Sequence, residues 1–217
     1  MNIVVLISGS GTNLQAIIDA VESGKIDGKL AAVISNRPEA QGLNRARQHG
    51  IETVVLDHTE YGTRDAFDAD LLQAIERYQP GLVVLAGFMR ILTDHFVDHF
   101  SGRMLNIHPS LLPKFKGLNT HQRALDAGEQ EHGCSVHFVS SELDSGAVIG
   151  QAKVKIDAND TADSLSQKVQ QQEHVLYPAC VALFCSQAIR LSPEGVRYQG
   201  SLLPATGLDL TEDLTEE

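Results

Sequence analysis

Ile3-Val4-Val5-Leu6-Ile7-Ser8-Gly9-Ser10-Gly11-Thr12-Asn13-Leu14 decides the fold of this chain. Its first five residues are an unbroken aliphatic run and read as a strand. A glycine-rich turn follows, and apolar spacing over 13–22 then predicts a helix. Strand, tight turn and helix make the first half of a βαβ unit. Working outward, short strand-like runs at 30–34, 53–56, 82–86 and 104–108 alternate with helical patterns at 40–49 and 63–79. Such alternation implies right-handed crossovers and an α/β fold: a mostly parallel, twisted sheet of Rossmann-like type with helices on both faces. The run at 82–86 is apolar throughout and reads as a central strand.

The pattern changes after about residue 130. Runs at 134–139 and 148–156 follow each other with only a loop between them, which predicts an antiparallel extension toward the C-terminus. A long helix starts near Asp160 or Thr161, either of which can cap it, with Leu165, Val169, Leu176, Ala179 and Leu183 along one face. The stretch 190–203 reads as a short surface hairpin. With 217 residues and no repeats or Pro-rich linkers, the chain is expected to form a single domain over 1–205. The remaining 206–217 read as an acidic, flexible tail, since five acids crowd the last nine residues.

Composition narrows the function. The chain holds 17 basic and 28 acidic residues, a net charge of −11. That excess argues against a nucleic-acid or anionic-membrane partner. Three cysteines, Cys134, Cys180 and Cys185, are an odd number without C-x-x-C spacing, which excludes a full disulfide framework and a thiolate zinc site. They read as reduced thiols in a cytoplasmic protein. No signal peptide or membrane-spanning helix is expected.

The turn from Ser8 to Leu14 can bind an anion, because a helix N-terminus presents backbone N–H groups and positive dipole charge. It is no dinucleotide fingerprint, since Leu14 stands where a third glycine belongs, and no Lys-Ser/Thr follows to make a P-loop. A mononucleotide or sugar-phosphate cradle and a purely structural turn both remain open. In Asn106-Ile107-His108-Pro109, residues two apart on a strand face one side, so an amide and an imidazole share a face at the carboxyl end of a parallel strand. Two such donors suit an oxyanion of acyl transfer, although Asn-x-His alone also fits a histidine satisfied by a backbone carbonyl. Asp144, in Leu143-Asp144-Ser145-Gly146, is a candidate to raise the pKa of that histidine or is simply a turn residue. His95 and His99 lie four apart but have no third ligand nearby. His132 and His137 would face opposite sides of a strand, so no metal is expected.

Taken together, Ile7 to Gln15, Leu85 to Leu92, Leu105 to Pro113 and Leu143 to Gly146 resemble the glycinamide ribonucleotide formyltransferase family, and the likeness runs from Ile3 through Pro204. The resemblance implies formyl transfer from 10-formyltetrahydrofolate, a co-substrate, to the amine of glycinamide ribonucleotide in de novo purine biosynthesis. It places the catalytic residues at Asn106, His108 and Asp144. Asn106 and protonated His108 would stabilise a tetrahedral oxyanion, with Asp144 raising the His108 pKa and aiding proton transfer. The ribonucleotide would meet Gly11, Thr12, Asn13, Gln170 and Glu173. The folate would meet Arg64, Met89, Arg90, Ile91, Leu92, Asn106 and the loop Ser140, Ser141, Glu142, Leu143 and Asp144. The N-terminal half would thus bind the ribonucleotide phosphate, and the C-terminal half the folate. The implied partners are these two small molecules, for a monomer or homodimer. A formyltetrahydrofolate deformylase would share Asn, His and Asp but typically carries an additional N-terminal domain, for which no room is expected here. A methionyl-tRNA formyltransferase would add a C-terminal RNA-binding domain, and a phosphosugar-binding module would lack turnover.

Overall fold

The computed structural model describes residues 1–211. Their contacts form two compact units, Met1–Asn106 with Val139–Ser141, and Ile107–Phe138 with the residues from Glu142 onward. In the first unit, β1 (Asn2–Ile7), α1 (Thr12–Glu22), β2 (Lys29–Ser35), α2 (Gln41–Gln48), β3 (Thr53–Val55), α3 (Arg64–Glu76), β4 (Leu82–Leu85) and α4 (Asp94–His99) follow in order. β5 (Met104–His108) runs out of it. The strand order is β5-β4-β1-β2-β3 with every pair parallel, as the alternating pattern predicts. A single 3-10 turn at His58–Glu60 was not foreseen.

Strand alternation explains why helices cover both faces of this sheet. Val4 and Leu6 point into a cluster with Phe67, Leu71 and Ile75 of α3 and with Phe96 of α4. Ile3, Val5 and Ile7 are equally buried on the opposite face, where the Ile7 side chain meets Gly42 of α2. Each such fully buried aliphatic side chain contributes about 1.5–3 kcal/mol.

The second unit contains α5 (Thr120–Asp126), β6 (Glu131–Phe138), β7 (Val148–Lys155), α6 (Ala162–Cys185), β8 (Ile189–Ser192), β9 (Gly195–Tyr198), β10 (Ser201–Leu202) and β11 (Leu208–Asp209). β6 and β7 pair antiparallel, as expected for strands joined by a loop alone. α6 begins at Thr161 with a capping box in which Thr161 and Ser164 satisfy each other's backbone N–H groups. Its buried face runs through Leu165, Val169 and Leu176 as predicted, but continues through Tyr177, Val181 and Cys185, whereas Ala179 and Leu183 are only half-buried. The helix packs against α5, β6, β7 and β8, more partners than one apolar stripe announces. The predicted hairpin at 190–203 is a three-stranded antiparallel sheet, β10-β9-β8.

Within the stretch 206–217 read as an acidic tail, the described part includes β11. Leu208 and Asp209 pair in parallel with Gly150 and Gln151, and Asp209 forms a 3.0 Å ion pair with Lys153. Half-buried Leu208 and Leu210 alternate with exposed Asp209 and Thr211, and Leu210 packs beside Gly150, an alternation that acidic composition alone conceals. Residues 212–217 lie outside the described residues. No described helix is long and apolar enough to cross a membrane.

Candidate active site

The glycine turn is built by close backbone approach. Gly11 has φ of 71°, and a Cβ there would lie 2.6 Å from Gly42 Cα, so only glycine fits. The Gly42 N–H donates to the Gly9 carbonyl at 3.0 Å and Arg45 Nε donates to the Ser10 carbonyl at 2.8 Å, which fixes the loop against α2. Gly11 is the N-cap of α1 and has no side chain to cap with, so Thr12 and Asn13 form the helix's positive end.

β5 spans Met104–His108 as read from the sequence, and strand alternation puts half-buried Asn106 and buried His108 on one side of it. The segment after β5 is tied to β6 and β7 by one hydroxyl. Ser135 Oγ donates to the Ser110 carbonyl at 2.6 Å and accepts from the Leu112 N–H at 3.0 Å and from Gln151 Nε2 at 2.9 Å. Gln151 Nε2 also reaches the Leu112 carbonyl at 2.8 Å. These bonds shape the Ser110-Leu111-Leu112-Pro113 segment, so that the Phe115 carbonyl comes within 2.9 Å of His108 Nε2. A carbonyl only accepts, so Nε2 carries a proton.

The other ring nitrogen, Nδ1, lies 3.4 Å from Asp144 Oδ2. Each ring nitrogen thus faces an oxygen acceptor. Asp144 sits at φ of 50° in a tight turn and also accepts from the Gly117 N–H at 2.9 Å. Two residues on, a Cβ at Gly146 would fall 1.6 Å from the Phe138 carbonyl, so glycine is required for this turn to close on β6. Asp144 Oδ1 lies 3.9 Å from His137 Nε2. That contact is no ion pair: His137 donates from Nδ1 to the Phe138 carbonyl, and burial pushes its pKa below the ordinary histidine value, leaving the ring neutral. His108 is the ring that meets the carboxylate through Nδ1. Beyond it, His132 Nε2 and His121 Nδ1 meet at 3.2 Å. Burial, reinforced by the charges of His121 and His108, lowers the His132 pKa to about 4.

The predicted folate residues divide. Met89 and Ile91 are each 62% exposed, as is Leu143 at 55%, and Arg64 is exposed at the start of α3. Arg90 instead lies over the Phe67 ring at 5.0 Å, with Leu92 half-buried. Ser140 is half-buried, while Ser141 and Glu142 are exposed. On α6, Gln170 is exposed and Glu173 half-buried, three residues apart. Among the described residues no three His, Cys, Asp or Glu side chains gather into a metal site.

An amide and an imidazole backed by a carboxylate can donate to a negatively charged acyl oxygen. Known proteins match the chain closely. A family model described as Formyl transferase matches residues 1–181. The chain belongs to the formyl transferase family. The phosphoribosylglycinamide formyltransferase of Escherichia coli K12 is 52% identical over 95% of this chain and 98% of its own length. That of Haemophilus influenzae is 45% identical over 94% of this chain and 97% of its own length. Among solved structures, the phosphoribosylglycinamide formyltransferase of Coxiella burnetii is 49% identical and aligns with a TM-score of 0.93 over 96% of this chain and 98% of that one.

For this formyl transferase, the sequence reading named His108 and Asp144 but not what holds them. Phe115 and Gly117 act through backbone atoms, which side-chain chemistry does not reveal. Ser135 and Gln151 lie within strands, where polar residues in otherwise buried runs were the available signal.

Proposed function

We propose that the protein transfers the formyl group of 10-formyltetrahydrofolate to the primary amine of glycinamide ribonucleotide, a step of de novo purine biosynthesis. The observation that carries this reading is His108, placed between the Phe115 carbonyl and the Asp144 carboxylate two residues from Asn106 on β5. The amine attacks the formyl carbon, and the carbonyl electrons move onto oxygen. Asn106 donates its amide N–H to that oxyanion. His108 Nε2 exchanges one acceptor, the Phe115 carbonyl, for another, the oxyanion, while Asp144 holds Nδ1 and supplies the counter-charge. The tetrahedral adduct then collapses and breaks the bond from carbon to the folate N10. The proton lost by the amine reaches N10 through His108, Asp144 or water.

The ribonucleotide phosphate sits on the α1 N-terminus at Gly11, Thr12 and Asn13, with Gln170 and Glu173 meeting the rest of that substrate. The apolar side chains of Met89, Ile91 and Leu92 clamp the flat pterin, and the loop from Ser140 to Asp144 reads its hydrogen-bonding edge. Exposed Arg64 is better placed for the folate's glutamate carboxylates than Arg90, whose guanidinium is stacked on Phe67.

The test is turnover of 10-formyltetrahydrofolate by the purified protein with and without glycinamide ribonucleotide, followed by absorbance and mass spectrometry. Formylated ribonucleotide, formed only when both substrates are present, is the expected product. Equal folate turnover without the ribonucleotide would make the protein a hydrolase. No turnover in either mixture would leave a binding module.

A further inference from the structure

Two buried polar side chains of the first unit end on the same short segment, yet neither belongs to the catalytic group. Residues 88–93 between β4 and α4 have no regular structure, and the exposure of Met89 and Ile91 shows that apolar packing of those side chains does not hold the segment in place. Phe88 and Leu92 do pack into the core, and side-chain hydrogen bonds hold the backbone at both ends. At one end, Ser8 Oγ accepts from the Met89 N–H at 2.8 Å and donates its own proton to Asn36 Oδ1 at 2.6 Å. A serine hydroxyl has one proton, and because Asn36 takes it, the lone pairs of Ser8 are directed to Met89. Ser8 and Asn36 are both buried, so water does not compete for these bonds.

At the other end, Asp68 of α3 accepts from the Thr93 N–H through Oδ2 at 2.6 Å. Asp68 is 3% exposed, and its second oxygen, Oδ1, is buried with no hydrogen-bond partner. A buried carboxylate oxygen without a donor is destabilising, and an apolar residue would avoid that cost. What the carboxylate gains is the position of Thr93, which in turn caps α4 by accepting from the Phe96 N–H. The Arg90 guanidinium over Phe67, the neighbour of Asp68, adds a third attachment to the same helix.

We propose that Ser8 and Asp68 are positioning residues for the folate. They fix the two ends of the 89–92 segment, so that its exposed apolar side chains and its backbone meet the pterin already in place. The inference rests on the reading of that segment as a folate contact. A segment held in its binding conformation loses less freedom when the ligand arrives, so loosening it weakens binding of that ligand selectively. Ser8 also begins the glycine turn, which makes Asp68 the cleaner probe.

The test is steady-state kinetics of the full chain with each substrate varied in turn, for Asp68→Ala, Asp68→Asn and Ser8→Ala. Asp68→Ala is expected to raise KM for 10-formyltetrahydrofolate on the order of tenfold, while KM for the ribonucleotide stays within about twofold and kcat falls less. Asp68→Asn keeps an oxygen that accepts from Thr93 and should return the folate KM to within about threefold of the parent. An unchanged folate KM in folded Asp68→Ala would overturn the proposal, and so would an equal rise in both KM values. Should Asp68→Ala fail to fold, the folate KM of Ser8→Ala decides by the same criterion. A parent protein that turns over no folate at all would remove the functional reading, and this inference with it.

Discussion

His108 and His137 face the two oxygens of one carboxylate, and only their surroundings separate their roles. The Nδ1 proton of His137 is committed to the Phe138 carbonyl, and burial favours its neutral ring. His108 has an acceptor at each nitrogen, the Phe115 carbonyl at Nε2 and the Asp144 carboxylate at Nδ1. Under the proposed mechanism, Asn106→Ala or His108→Ala lowers kcat by on the order of a hundredfold or more, since each removes a donor to the developing oxyanion. Near-parental turnover in either variant would remove that residue from the chemistry. Asp144→Asn removes the counter-charge while keeping the shape of the turn. It should depress turnover and leave ribonucleotide affinity intact in a calorimetric titration. Lost affinity would place Asp144 among the binding contacts instead.

The segment after β5 is an element without regular structure that nevertheless has a fixed course, because Ser135 on β6 satisfies the Ser110 carbonyl, the Leu112 N–H and Gln151 Nε2 together. Ser135→Ala leaves these buried groups short of a partner and is expected to cost about 1–3 kcal/mol, read as a lower urea midpoint with unchanged slope. Because the Phe115 carbonyl lies on the same segment, turnover should fall as well. An unaltered midpoint would mean that water replaces the hydroxyl without loss. α6 presents the opposite case, a helix whose start is secured locally. Its Thr161–Ser164 capping box is joined by Asp160, whose carboxyl is lowered to about 2, chiefly by the Lys168 side chain at 2.6 Å.

Stability of the folded protein toward acid follows from groups that bind fewer protons folded than unfolded. His132 has a folded pKa of about 4 against an ordinary 6.5, so between those values the unfolded chain takes up the proton more readily. The contribution is complete above pH 6.5 and is lost as pH falls toward about 4. Asp160 acts in a lower window: its contribution is present above 3.8 and is lost toward about 2. Melting temperature should therefore decline through the histidine window before the carboxylate one is reached. His132→Gln should flatten that first decline, and an identical profile in the variant would assign it to other groups.

Much of the architecture was legible as local pattern. Unbroken aliphatic runs separated by helical spacing gave the parallel strands, and β5 was located to the residue, because strand and helix periods are properties of neighbouring residues. The family resemblance groups Asn106, His108 and Asp144, and strand alternation alone puts Asn106 and His108 on one side of β5. Other features are set by partners far apart in the chain. Ser8 meets Met89 across 81 positions, and Ser135 meets Ser110 across 25. β11 pairs with β7, and α6 packs against β6, β7 and β8. No periodicity records such bonds, since a hydroxyl or carboxylate in a buried run reads alike whether or not a distant N–H will meet it. Folding makes the difference by bringing those donors to acceptors that water no longer reaches.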